Sequence, residues 1–185
     1  MLKLYGGVFS RAAIAKWYLE ELKVPYEFVL VDMQEGEHLK SEYLQINPMG
    51  KVPAIVDGDF QLWESGAILL YLNDKYGKIP ASLEERAQLF QWVLFSNSTL
   101  ASGIFTEATR AKEVPQLLTP LNNIFQQKSF LVGDEFSVAD VAVGSMLAYI
   151  PMMLKLDLSA YPSVLAYIQQ MSERSAFKKA IGELS

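Results

Sequence analysis

Two short stretches of this chain carry residue types whose spacing could hold a small zwitterionic ligand. In Leu62-Trp63-Glu64-Ser65-Gly66-Ala67-Ile68, Glu64 and Ser65 stand at the expected start of a helix. Unpaired N–H groups and the positive end of the helix dipole attract a carboxylate there. Ser65 adds a hydroxyl donor and Glu64 could receive an ammonium group, so the pair suits a ligand bearing both α-amino and α-carboxylate groups. The plainer reading is an N-capping serine beside a solvated glutamate. The second stretch, Asn47-Pro48-Met49-Gly50-Lys51-Val52-Pro53-Ala54-Ile55, is a turn running into a strand. It exposes the Val52 backbone at a sheet edge, where an extended peptide could pair as an added strand. Pro53 cannot donate to a sheet, and a proline in such a turn is often cis. Read alone, the stretch is more simply an ordinary proline-punctuated loop before an edge strand.

The elements that must position these residues follow from the hydrophobic pattern. Lys3-Leu4-Tyr5 reads as a strand ended by Gly6-Gly7, and Ser10 opens a helical stretch with Ile14, Trp17, Tyr18 and Leu22 at helical spacing. Glu27 to Val31 is a second strand, followed by a polar, weakly helical segment from Glu37 to Leu44. Val52 to Val56 and Phe60-Gln61-Leu62 are strands joined by a tight hairpin at Asp57-Gly58-Asp59. Glu64 to Tyr76 is an amphipathic helix that turns Ile68, Leu69, Tyr71 and Leu72 to a core. The order βαβ then ββα describes a small mixed sheet with helices on its faces. Gly77 to Ser82 breaks the pattern, and everything after it reads as helix. Leu83 to about Ala111 is one long helix, and Pro115 and Pro120 mark the start of another. The expected domains are 1–76 (α/β), a linker at 77–84, and 85–185 (all-α).

Composition removes several function classes. With 21 acidic against 16 basic residues, the net charge of −5 opposes nucleic-acid binding, which needs a basic face. No run approaches the roughly 18–20 apolar residues of a membrane span. The start, Met1 to Tyr5, runs into a strand without a signal-peptide layout, so the expected location is cytoplasmic. The chain has no cysteine, which excludes disulfides, thiolate metal sites and a protein thiol nucleophile. The only histidine is His38, so no metal site is expected and a Ser-His-Asp triad is disfavoured.

Taken together, N-P-x-G-K-V-P-A-I at 47–55 and E-S-x-A-I-x-x-Y-L at 64–72 resemble the glutathione-binding half of cytosolic glutathione transferases. The resemblance spans roughly the first eighty residues and implies a thioredoxin-like fold for the βαβ-ββα domain, followed by an all-helical C-terminal domain. It implies that Val52 pairs with the cysteinyl backbone of glutathione, with Pro53 as the cis-proline. Glu64 and Ser65 would hold the γ-glutamyl end, and His38 and Lys51 would face the glycyl carboxylate. His38 also reads as a partly exposed residue on a polar helix. In the second half, Phe136-Ser137-Val138-Ala139-Asp140-Val141 is a capping box with a flanking staple. Its setting between Phe130 and Ala142 resembles the buried helix of the transferase C-terminal domain, where its role is folding.

A transferase must favour the thiolate of glutathione, because an ordinary thiol has a pKa of about 8.5. Ser10, after the first strand and at the first helix, resembles the catalytic position of serine-type transferases, and its hydroxyl could donate to the sulfur. Arg11 is the alternative, a cation that stays charged at working pH. Ser10 also reads as a helix N-cap and Arg11 as a solvated first-turn residue. Tyr5 lies earlier than a tyrosine-type catalyst would. The electrophile would sit between the domains, with Phe9, Ile104, Phe105 and Thr109 as wall residues that equally suit core or dimer packing. Phe177 is the last aromatic, and the short tail after it implies an open pocket. Brevity and absence of cysteine most resemble the short bacterial chi-like class, which implies isothiocyanates as acceptors and a detoxification role. The family implies a homodimer through the Glu64–Tyr76 region and the long helix. Two other readings are a non-catalytic partner-binding module of the same fold and a glutathione-dependent isomerase, whose usual Ser-Ser-Cys run is absent from Val8-Phe9-Ser10.

Overall fold

Alternation builds the first strand: Leu2, Leu4 and Gly6 of β1 (Leu2–Gly6) are buried, while Lys3 and Tyr5 point to the opposite face. The computed structural model describes residues 1–182. Strands β1, β2 (Tyr26–Leu30), β3 (Ala54–Asp57) and β4 (Phe60–Trp63) form one sheet in the order β2-β1-β3-β4. β1 and β2 are parallel and the other two pairings antiparallel. The β3–β4 hairpin closes on Gly58 and Asp59, with Asp57 opposite Phe60 and Gly58 at φ 64°, a value that favours glycine.

Helix α1 (Ala12–Leu22) carries the first crossover and buries Ile14, Trp17, Tyr18 and Leu19. A single 3-10 turn at Glu37–Leu39 leads into the short α2 (Ser41–Leu44), and α3 (Ser65–Tyr76) buries Ile68, Leu69 and Leu72. Tyr71, expected toward that core, is only half-buried and donates to Asp57 across 2.9 Å. The tyrosine hydroxyl finds its partner at the hairpin, so the ring stays at the rim.

The chain divides into two compact units: Met1–Gly77 with the segment from Ala176, and Lys78–Ser175. The tail therefore joins the first unit, although its sequence places it in the helical half, and residues 183–185 lie outside the described residues. Phe177 of α9 (Ser175–Ala180) meets Trp17 edge-on at 4.9 Å, and Lys179 pairs with Glu20 at 2.7 Å. A fully buried Trp17 needs that cover.

In the second unit, Ser82 caps α4 (Leu83–Leu94) by accepting from the Glu85 N–H. The helix continues through a π-helical stretch, Phe95–Leu100, into α5 (Ala101–Phe105). It stops at Thr106 rather than near Ala111, and α6 (Glu107–Gln127) begins there. Arg110 caps the break with its guanidinium, Nε reaching the Ile104 carbonyl at 2.7 Å. Pro115 and Pro120 lie inside α6 instead of at its start. Both are exposed, as are Ala111 and Gln116, whose carbonyls would have met the missing N–H groups, so water can satisfy them.

Helix α7 (Val138–Tyr149) is buried from Val138 to Ala148 and forms the centre of this unit. The capping box is present, and the Asp140 carboxylate accepts from the Ser137 N–H, the Ser137 hydroxyl, the Leu131 N–H and the Tyr167 hydroxyl of α8 (Pro162–Ser172). Burial raises its pKa against the opposing pull of those four hydrogen bonds. Among the described residues no helix is long and apolar enough to cross a membrane.

Candidate active site

Sheet register brings the three motifs to one place. Tyr5 of β1 pairs with Ala54 of β3, and Ala54 pairs with Trp63 of β4, so the three residues form a row across neighbouring strands. Just past that row, β1 runs into Gly7–Arg11, β3 is entered from Val52–Pro53, and β4 leaves into Glu64–Ser65. The antiparallel turns of the chain thus collect a serine loop, a free peptide edge and a helix N-terminus at one end of the sheet.

Ser10 is half-buried, and its hydroxyl is engaged within its own loop. It donates to the Gly7 carbonyl at 3.0 Å while Oγ accepts from the Gly7 N–H at 3.1 Å and the Ala12 N–H at 3.3 Å. The Ser10 carbonyl accepts from the Ala13 N–H, so the residue does the work of an N-cap. To donate to a thiolate the O–H must rotate away from Gly7. Arg11 is exposed, as are Val8 and Phe9, the latter at 81%.

The Val52–Pro53 bond is cis, and the ladder of β3 begins only at Ala54. The Val52 side chain packs against Val31, Tyr43 and Ala54, which fixes the residue while its backbone stays outside the ladder. Lys51 is exposed. Its carbonyl accepts from the Tyr43 hydroxyl at 2.6 Å and from Asn47 Nδ2 at 2.7 Å. Burial pushes the Tyr43 pKa up to about 12, so this donor keeps its proton through the physiological range. Gly50, at φ 58°, ends the turn so close to His38 that an added Cβ would lie 3.1 Å from the His38 carbonyl oxygen. His38 is therefore beside the loop, half-buried, with Nδ1 shielded and unpartnered among the described residues.

Ser65 is buried as the first residue of α3. Glu64 before it is exposed and has φ 71° and ψ 118°, a strained backbone for a residue with a Cβ. The helix start fixes Ser65, the strand end fixes Trp63, and Glu64 absorbs the change of direction between them.

Of the electrophile-wall residues on the second unit, Ile104 is fully buried. Phe105 is half-buried and Thr109 exposed. The bonds of Tyr43 and of Asn47, the first residue of the 47–55 motif, to the Lys51 carbonyl were not foreseen from the sequence. The available signals were a lone aromatic in a polar helical segment and an asparagine opening a proline turn.

A βαβ-ββα unit with a cis-proline before its third strand, followed by an all-helical unit, defines a thioredoxin-like protein with a helical extension. The chain belongs to the glutathione S-transferase family. Residues 1–74 match the family description "Glutathione S-transferase, N-terminal domain", and residues 85–181 match "Glutathione S-transferase, C-terminal domain". The chain is 33% identical over 167 residues to glutathione S-transferase theta-1 of Homo sapiens, covering 76% of this chain and 69% of that protein. It is 28% identical over 211 residues to glutathione S-transferase F9 of Arabidopsis thaliana, covering 100% of this chain and 98% of that protein. The crystal structure of the glutathione transferase URE2P6 from Phanerochaete chrysosporium in complex with oxidized glutathione superposes with a TM-score of 0.86 at 28% identity, covering 99% of this chain and 96% of that one.

Proposed function

We propose that this protein conjugates the thiolate of glutathione to small hydrophobic electrophiles, isothiocyanates among them, as a serine-type transferase closest to the chi-like class. The observation that carries the reading is the row Tyr5–Ala54–Trp63, which gathers Ser10, Val52 and Glu64–Ser65 at one end of the sheet. Val52 pairs with the cysteinyl backbone through its free peptide edge. Ser65 and the α3 N-terminus receive the γ-glutamyl carboxylate, and Glu64 receives its ammonium group. His38 and Lys51 face the glycyl end, where a cation suits a carboxylate.

Ser10 then donates its hydroxyl to the sulfur, stabilising the thiolate as the thiol proton passes to solvent. With an isothiocyanate the sulfur attacks the central carbon, the C=N bond opens, and nitrogen takes up a proton to give a dithiocarbamate with no leaving group. Phe9, exposed beside Ser10, offers the electrophile an apolar surface. Arg11 is the second candidate for the thiolate, and the engagement of the Ser10 proton with Gly7 favours keeping it. The role is detoxification in the cytoplasm, by a homodimer. The exposed aromatics Phe60 and Tyr76, on β4 and α3, support a partner surface there.

The test is calorimetric titration with glutathione, then thiol consumption with phenethyl isothiocyanate and 1-chloro-2,4-dinitrobenzene, for wild type, Ser10→Ala and Arg11→Ala. Turnover lost with binding kept identifies the activator. Absence of glutathione binding in the wild type refutes the reading.

A further inference from the structure

The Lys51 carbonyl and the Val52 N–H are the two ends of one peptide plane. That peptide is trans, since the cis bond lies one residue later, so the two groups point in opposite directions. Two donors converge on the carbonyl end: the Tyr43 hydroxyl at 2.6 Å and Asn47 Nδ2 at 2.7 Å. Whatever fixes the carbonyl fixes the N–H opposite it.

Both donors are themselves held. Asn47 is 1% exposed, its Oδ1 accepts from the Met49 N–H at 3.0 Å, and its carbonyl accepts from the Gly50 N–H at 3.0 Å. Tyr43 is buried with its ring 6.1 Å from that of Tyr5. The Tyr43 side chain and the Val52 side chain pack in the same cluster, so neither end of the peptide is loose. Two hydrogen bonds on one carbonyl also polarise the amide, which makes its N–H a stronger donor.

We propose that Tyr43 and Asn47 are positioning residues for glutathione: they clamp the Lys51–Val52 peptide so that the Val52 N–H is aimed, before the ligand arrives, at the cysteinyl carbonyl. The inference rests on the reading of Val52 given above. Without the clamp only the packing of the Val52 side chain restrains the plane, its orientation spreads, and the ligand must select the fraction of molecules whose N–H faces it. The effect therefore falls on binding of glutathione and leaves the electrophile alone.

The experiment is Tyr43→Phe, which removes only the hydroxyl, followed on the full chain by calorimetry, steady-state kinetics and the amide NMR signal of Val52. The expected result is a glutathione Kd and KM raised about 3- to 10-fold, the range of one hydrogen bond. kcat at saturating glutathione changes less than about twofold, and the electrophile KM stays the same, because the clamp touches neither the sulfur nor the electrophile. Asn47→Ala gives the same split and serves if Tyr43→Phe does not fold. In the wild type the Val52 amide signal moves on adding glutathione, and in either variant it starts from a shifted position. A lowered melting temperature with unchanged Kd overturns the proposal and leaves Tyr43 a purely structural residue. Glutathione binding that leaves the wild-type Val52 signal in place overturns the Val52 reading itself, and the two failures are thereby told apart.

Discussion

Replacing Glu64 by glycine and by alanine separates two properties that this residue combines. Its φ of 71° and ψ of 118° store backbone strain of about 1–3 kcal/mol. Glycine relieves most of that strain but loosens the unfolded chain, which costs about 0.4–1 kcal/mol. The balance predicts that Glu64→Gly is more stable than wild type by about 1 kcal/mol, or about 2–4 °C in melting temperature for a chain of this size. Alanine keeps the Cβ and the strain. Because Glu64 is exposed, Glu64→Ala should match wild type within about 0.5 kcal/mol. Both variants lose the carboxylate, and a charged hydrogen bond of about 1.5–3 kcal/mol corresponds to a glutathione Kd weakened about 10- to 100-fold. Thermal melts and calorimetry on the three proteins are sufficient. A glycine variant no more stable than the alanine variant would show that no strain resides at Glu64. An alanine variant that binds glutathione normally would remove the carboxylate from the site.

Ser10→Ala should lower stability by about 1 kcal/mol, since Oγ serves two N–H groups, and should also lower turnover; thermal melts beside the kinetics check both. Asp140→Ala leaves the Leu131 N–H and the Tyr167 hydroxyl buried without an acceptor, predicting a loss of about 3–5 kcal/mol by urea denaturation with the glutathione Kd of the folded protein intact. A loss below about 1 kcal/mol would contradict that hydrogen-bond accounting. The Lys75 ammonium, with help from Tyr71, holds Asp57 below its ordinary pKa against some desolvation. Its contribution is therefore complete above the unfolded carboxylate range and is lost as pH falls through the folded value. Melting temperatures between pH 7 and 3 should fall less steeply for Asp57→Asn than for wild type. Gly50→Ala forces a Cβ at positive φ against the His38 carbonyl, and should cost about 1 kcal/mol and weaken glutathione binding, by melts and calorimetry.

The sheet was legible because alternation, the Gly58 hairpin and the βαβ-ββα order mark its strands, whereas the gathering of the motifs was implied only by the family resemblance; the register that puts Tyr5, Ala54 and Trp63 in a row comes from the structure. Long-range facts were not legible. A helix can run through a proline more easily where water satisfies the carbonyl left unpaired, and no local pattern says that Pro115 and Pro120 are exposed. Periodicity marks Ile104 as apolar without saying whether it faces a core or a ligand. The engagement of the Ser10 hydroxyl and the bonds of Tyr43 and Asn47 to Lys51 depend on how loops close, which residue type and spacing leave open.

The return of the chain from Ala176 to the first unit has a consequence for how the protein is born. Synthesis is vectorial, and Gly77 leaves the ribosome well before Phe177 exists. At about 5–20 residues per second, some 5–20 s pass before the ring that covers Trp17 is made. During that time the nascent ligand-binding unit carries an uncovered indole, and Glu20 has the Tyr26 hydroxyl but not yet the Lys179 ammonium; that surface is complete only once Phe177 and Lys179 have been made.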